Sequence, residues 1–138
     1  MTTQPTVDQI WTAAFASGDA ADFARAFAAD VVLEAPALRK PIIGRDLVKE
    51  SFAAAASIYE TLAFTGTIST GNRACMTWEG TTFDGTSFSG STLLTTDENG
   101  KINHVVVQHR PLDFLLTFSR ELGNRLHGII DADWFHTP

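Results

Sequence analysis

The chain is poor in cysteine, histidine and positive charge. Ten Lys and Arg oppose sixteen Asp and Glu in 138 residues, for a formal net charge of −6. Phosphate backbones and anionic bilayers are held by clustered cations, and only Arg39 and Lys40 are adjacent here. Neither nucleic acid nor a membrane is therefore expected as a partner. One cysteine, Cys75, excludes an intrachain disulfide and a cysteine-built zinc site. The four histidines show no His-x-His or His-x-x-x-His spacing, and no metal or cofactor is expected. No apolar run approaches the roughly 20 residues that span a bilayer. The opening Met-Thr-Thr-Gln-Pro lacks a basic segment followed by an apolar one, so a cytoplasmic location without a secretory signal is the expectation.

Against these absences stands a 44% hydrophobic composition with ten Phe and three Trp, enough for a core without disulfides. No repeat, linker or composition break divides the chain, so residues 1–138 are read as one domain. Thr6-Val7-Asp8-Gln9 has capping-box spacing, and Ile10/Ala14 and Trp11/Phe15 repeat at i, i+4, which predicts a helix over 6–17. Gly18 ends it and Asp19 caps a second helix running to about Asp30. Residues 31–35 form a short strand stopped by Pro36, and Pro41–Gly44 returns from the turn. Asp46 caps a third helix whose Val48, Phe52, Ala55 and Tyr59 share a stripe. From Leu62 the period becomes two. Strands over 62–69, 73–83, 86–96 and 101–110 are separated by Gly71-Asn72, Asp84-Gly85 and Asp97–Gly100. Leu112, Leu115, Leu116, Ser119 and Leu122 then mark a C-terminal helix. The class is α+β, with three N-terminal helices packed on a curved antiparallel sheet and a fourth helix at the end.

The turns set a register. With Asp84-Gly85 as a two-residue turn, Phe83 stands opposite Thr86, Thr81 opposite Phe88 and Glu79 opposite Gly90. With a four-residue loop at 97–100, Phe88 faces His109, Gly90 faces Val107 and Thr92 faces Val105. Opposed residues share a face. One face then carries Cys75, Thr77, Glu79, Thr81, Phe88, Gly90, Thr92, Leu94, Val105, Val107 and His109. Gly90 leaves room above the sheet, and the mixture of apolar walls with a few polar groups suits a ligand cavity closed by helices.

Several segments together resemble the nuclear-transport-factor-2-like superfamily, in particular its SnoaL-like and ketosteroid-isomerase-like enzymes. They are Trp11…Ser17-Gly18-Asp19, Phe27–Pro36, Pro41…Gly44-Arg45, Trp78-Glu79, Asp97–Ile102 and His109–Leu112. The resemblance spans about residues 6–126. It implies a cone-shaped pocket and a homodimer. It also implies that the isomerase's own apparatus is missing. The catalytic Asp position is Ala35, the oxyanion Tyr position is Trp11, and the second acid position is Thr92.

The chemistry therefore falls to other residues. Glu79, desolvated in an apolar cavity, would have the raised pKa of a general acid or base. His109, at the end of a strand on the same face, would polarise substrate or relay a proton. Trp11, Phe15, Thr77, Phe88, Thr92, Val105 and Val107 would line the substrate. The expected activity is cofactor-independent proton transfer on a small apolar organic molecule: isomerisation, dehydration, cyclisation or epoxide hydrolysis. A non-catalytic small-molecule-binding module and a dimeric interaction domain are the alternatives. The apolar surplus of Phe114, Phe118, Ile129, Ile130, Trp134 and Phe135 would be buried at a partner subunit or across the pocket mouth, the alternative being a tail folded onto its own sheet.

Overall fold

The computed structural model describes residues 5–137. Helices α1 (Val7–Ser17) and α2 (Ala20–Ala26) lead into strand β1 (Phe27–Glu34), the two-residue β2 (Ile42–Ile43) and helix α3 (Arg45–Ile58). Strands β3 (Tyr59–Thr70), β4 (Arg73–Thr82), β5 (Ser87–Thr96) and β6 (Ile102–Arg110) follow, then helix α4 (Leu112–Arg125) and a short 3₁₀ turn, Ala132–Trp134.

The local signals act as expected at both ends of α1 and at the start of α2, whereas α3 begins at Arg45 after Gly44, so Asp46 lies in its first turn and does not cap it. Gln9 Oε1 accepts the Thr6 N–H at 2.9 Å, and Gly18 closes α1 at φ 67°. The Asp19 carboxylate caps α2 by accepting the Ala21 N–H at 3.0 Å. Helix α2, however, stops at Ala26 instead of continuing toward Asp30. Phe27 is extended and pairs with Ile102, so sheet formation ends the helix early.

The strands form one curved, open sheet in the order β2-β1-β6-β5-β4-β3. The β3–β6 meander is antiparallel, while β1 joins parallel to β6, making the sheet mixed. Trp11, Phe23, Phe27, Phe52, Met76 and Leu94 belong to a single apolar core between the helices and the inner face.

Within the meander the two hairpins depart from the expected register in different ways. At β4–β5, Trp78 rather than Glu79 stands opposite Gly90, and Met76 stands opposite Thr92. The turn is wider than two residues: Thr82 N–H donates to Thr86 O and Gly85 N–H to Thr82 O, with Gly85 at φ 88°. Phe83 thereby leaves the strand for the loop and is 71% exposed. A one-residue slip moves every side chain of β4 to the other face. At β5–β6 the slip is two residues, with Gly90 opposite His109 and Thr92 opposite Val107. That change preserves the faces, so Phe88, Gly90, Thr92, Leu94, Val105, Val107 and His109 all point inward as expected.

Candidate functional site

Inside the sheet lies a narrow apolar cavity. The space open to the centre of a water-sized sphere is about 40 Å³, room for a few such spheres at roughly 10–15 Å³ each. Its aromatic walls are Phe15, Phe52, Tyr59, Phe64, Trp78 and Phe118, with Leu33, Ala35, Leu38 and Val107 among the aliphatic ones. Four polar side chains, Ser51, Tyr59, Thr92 and His109, also belong to its lining.

The polar groups are paired in a definite way. Tyr59 Oη and His109 Nε2 lie 2.7 Å apart in a buried hydrogen bond. Tyr59 ends the apolar stripe of α3 and opens β3, while His109 arrives from β6 beside Phe118 and Trp78. Burial drives the His109 pKa down to about 3 and raises that of the Tyr59 hydroxyl. Both groups are therefore neutral at ordinary pH. His109 Nδ1 is buried and has no hydrogen-bond partner among the described residues. The Trp78 indole N–H donates to Thr92 Oγ1 at 2.9 Å, and the Ser51 hydroxyl donates to Leu47 O at 2.8 Å.

Of the residues expected at the site, Phe15, Thr92, Val107 and His109 line the cavity. Trp11, Phe88 and Val105 are buried in the core behind it. Trp11 is fully buried edge-to-face against Phe15, Phe23 and Phe52, and among the described residues its indole N–H has no partner. Glu79 and Thr77 do not reach the cavity. Both are exposed on the outer face, where Thr77 Oγ1 pairs with Thr65 Oγ1 at 2.8 Å. The expected Glu79–His109 constellation is thus replaced by Tyr59–His109, because the slip at β4 exchanges Glu79 for Trp78.

The space above Gly90 is likewise taken by protein. A Cβ at Gly90 would overlap the Trp78 indole and the Gln108 carbonyl. Two signals pointed to the true arrangement. Tyr59 completes the inward stripe Val48, Phe52, Ala55, and Ala74, Met76 and Trp78 alternate with Cys75, Thr77 and Glu79. Burying Trp78 and Met76 instead of Thr77 and Glu79 is favoured by roughly 1.5–3 kcal/mol per large side chain. Among the described residues no three His, Cys, Asp or Glu side chains come together as metal ligands, and no helix is long and apolar enough to cross a membrane.

The apolar surplus near the C-terminus is mostly buried within the chain itself. Phe114, Phe118, Ile130 and Phe135 are buried, while Ile129 remains exposed.

The model of the SnoaL-like domain matches residues 8–105, well over half of the chain. The chain belongs to the SnoaL-like family. Solved structures agree on the fold. This SnoaL-like chain superposes with a TM-score of 0.83 on an uncharacterized bacterial protein of cystatin-like fold from Silicibacter pomeroyi, at 19% identity over 89% of this chain and 86% of that one. A steroid delta-isomerase from Pseudomonas aeruginosa gives 0.79 at 20% identity, over 91% and 96% of the two chains. A putative isomerase of the SnoaL-like family from Agrobacterium tumefaciens gives 0.60 at 18% identity, over 76% and 95%. At these identities the likeness shows the fold alone. No curated protein matches the SnoaL-like chain in sequence.

Proposed function

We propose that the cavity binds a small, uncharged, largely apolar organic molecule through one hydrogen-bond-accepting oxygen. A surplus of donors supports this reading. Tyr59 and neutral His109 bring two protons to a pair joined by one hydrogen bond, so one donor is left over whichever imidazole tautomer is present. Thr92 Oγ1 accepts from Trp78, and among the described residues its own proton has no acceptor. Ser51 spends its proton on Leu47 O. Two unspent donors among apolar walls call for an acceptor such as a ketone, aldehyde, ester, ether or epoxide oxygen. Among the described residues no cation lines the cavity to offset a carboxylate, and no carboxylate lines it to offset an ammonium.

Catalysis on such a molecule is a second reading, favoured by the 2.7 Å Tyr59–His109 bond. Preorganised neutral donors bind an oxygen more tightly as negative charge develops on it. That would assist isomerisation, dehydration, cyclisation or epoxide opening without a cofactor. The isomerases among the structural neighbours fit this reading. With His109 held near pKa 3, its part is polarisation rather than general-base catalysis. A homodimer is also proposed, supported by the exposed Ile43, Leu47 and Ile129 around one surface groove. Light scattering on the purified protein tests it.

The ligand reading is tested with cyclopentanone, methylenecyclopentane and cyclopentylammonium, followed by protein NMR. Cyclopentanone is expected to bind at least tenfold more tightly than the other two. Equal binding of the ketone and the hydrocarbon overturns it. Accelerated α-deuterium exchange of cyclopentanone, with solvent deuteroxide taking the α-proton and Tyr59 and His109 polarising the carbonyl, and lost in a folded Tyr59→Phe variant, would support the catalytic reading; no acceleration leaves binding alone.

A further inference from the structure

The family match ends at residue 105, yet the segment after α4 reaches back to a loop that walls the cavity. Its target is the β1–β2 connection, which contributes Ala35 and Leu38 to the cavity wall. Both neighbours of Leu38 are tied from outside. The buried Ser119 hydroxyl on α4 donates to Ala37 O at 2.5 Å. The Arg39 N–H donates to Trp134 O at 2.8 Å, and Arg39 Nε donates to Phe135 O at 3.2 Å. The Trp134 indole N–H adds a bond to Pro41 O at 3.1 Å.

Ser119 joins the two sides. The same oxygen that gives its proton to Ala37 O accepts the His136 N–H at 2.9 Å. Beside it, buried Phe135 is seated on Gly123, where an added Cβ would approach the Phe135 ring to 2.9 Å. Surface grooves run along both flanks of residues 131–136, so the segment is held at these few points rather than covered along its length. An element held by few contacts opens locally at a lower cost than the core.

We propose that residues 131–136 are a positioning strap that holds Leu38 against the cavity, so that docking of the strap and filling of the cavity are coupled. The inference builds on the cavity as a ligand site but not on the ligand's polarity. Linkage makes the coupling reciprocal: an occupant that packs on Leu38 stabilises the docked strap, and loosening the strap weakens the occupant by the same factor. Ser119 is a positioning residue here, acting through Leu38.

The test uses the full chain and xenon, which fills apolar cavities without hydrogen bonds. Xenon affinity is read by NMR titration, and strap docking by hydrogen exchange of the Arg39 amide. Ser119→Ala is expected to speed Arg39 exchange at least tenfold and weaken xenon binding about threefold or more. Saturating xenon should slow Arg39 exchange in the unaltered protein. In a Leu38→Ala background, Ser119→Ala should no longer change xenon affinity, whereas Ser119→Thr should retain most of both properties. Faster exchange with unchanged affinity, an equal effect of Ser119→Ala with and without Leu38, or failure of xenon to bind at all overturns the proposal. Xenon binding without cyclopentanone binding leaves the strap standing and removes only the acceptor-ligand reading.

Discussion

Trp78 lies across Gly90 on the inner face of the sheet, its indole filling the space where a side chain on β5 would stand. The missing Cβ therefore serves the packing of the protein's own tryptophan. It also lets the indole N–H reach Thr92, the next inward residue along β5. One glycine, one tryptophan and one threonine together set the cavity floor and the direction in which Thr92 can donate.

Gly90→Ala should destabilise the fold by about 1–3 kcal/mol or more, since its methyl overlaps both the indole and the Gln108 carbonyl. Denaturant unfolding measures the loss, and tryptophan fluorescence should shift. Trp78→Phe should relieve only part of the defect, because the backbone overlap persists.

Thr92→Val keeps the shape and removes the acceptor of the Trp78 N–H. The stranded donor should cost about 1–3 kcal/mol in unfolding experiments, while Thr92→Ser should cost much less.

Stability should depend on pH through His109. In the folded protein its pKa is near 3 because burial disfavours the imidazolium, against 6.5 ordinarily. Between those values the unfolded chain binds a proton that the native state does not. The contribution is present above about pH 6.5 and is lost as pH falls toward 3, at up to about 1.4 kcal/mol per pH unit. Urea titrations across that window should show the slope, and a folded His109→Gln variant should flatten it.

Glu79→Gln should change stability by no more than about 0.5 kcal/mol, and should leave cyclopentanone binding unaltered, because the carboxylate faces solvent. A large effect on binding would return Glu79 to the site.

The sequence determined the elements and most of their limits. Capping at Thr6 and Asp19, the glycine stop at Gly18 and the period-two strands all act over a few residues, so they are legible in a linear reading. It also determined the faces of β5 and β6, since a two-residue slip returns each side chain to its own side. The face of β4 was settled by tertiary structure. Asp84-Gly85 fits both a tight turn and the wider one, and the burial of Met76 and Trp78 beneath the helices tips the balance. The partner of His109 was decided the same way: Tyr59 lies 50 residues earlier in the chain, and only the closing of α3 over the sheet brings the two rings together. Local chemistry writes the strands and helices, but which polar groups share a desolvated space depends on long-range packing, where a shift of one residue exchanges a carboxylate for an indole.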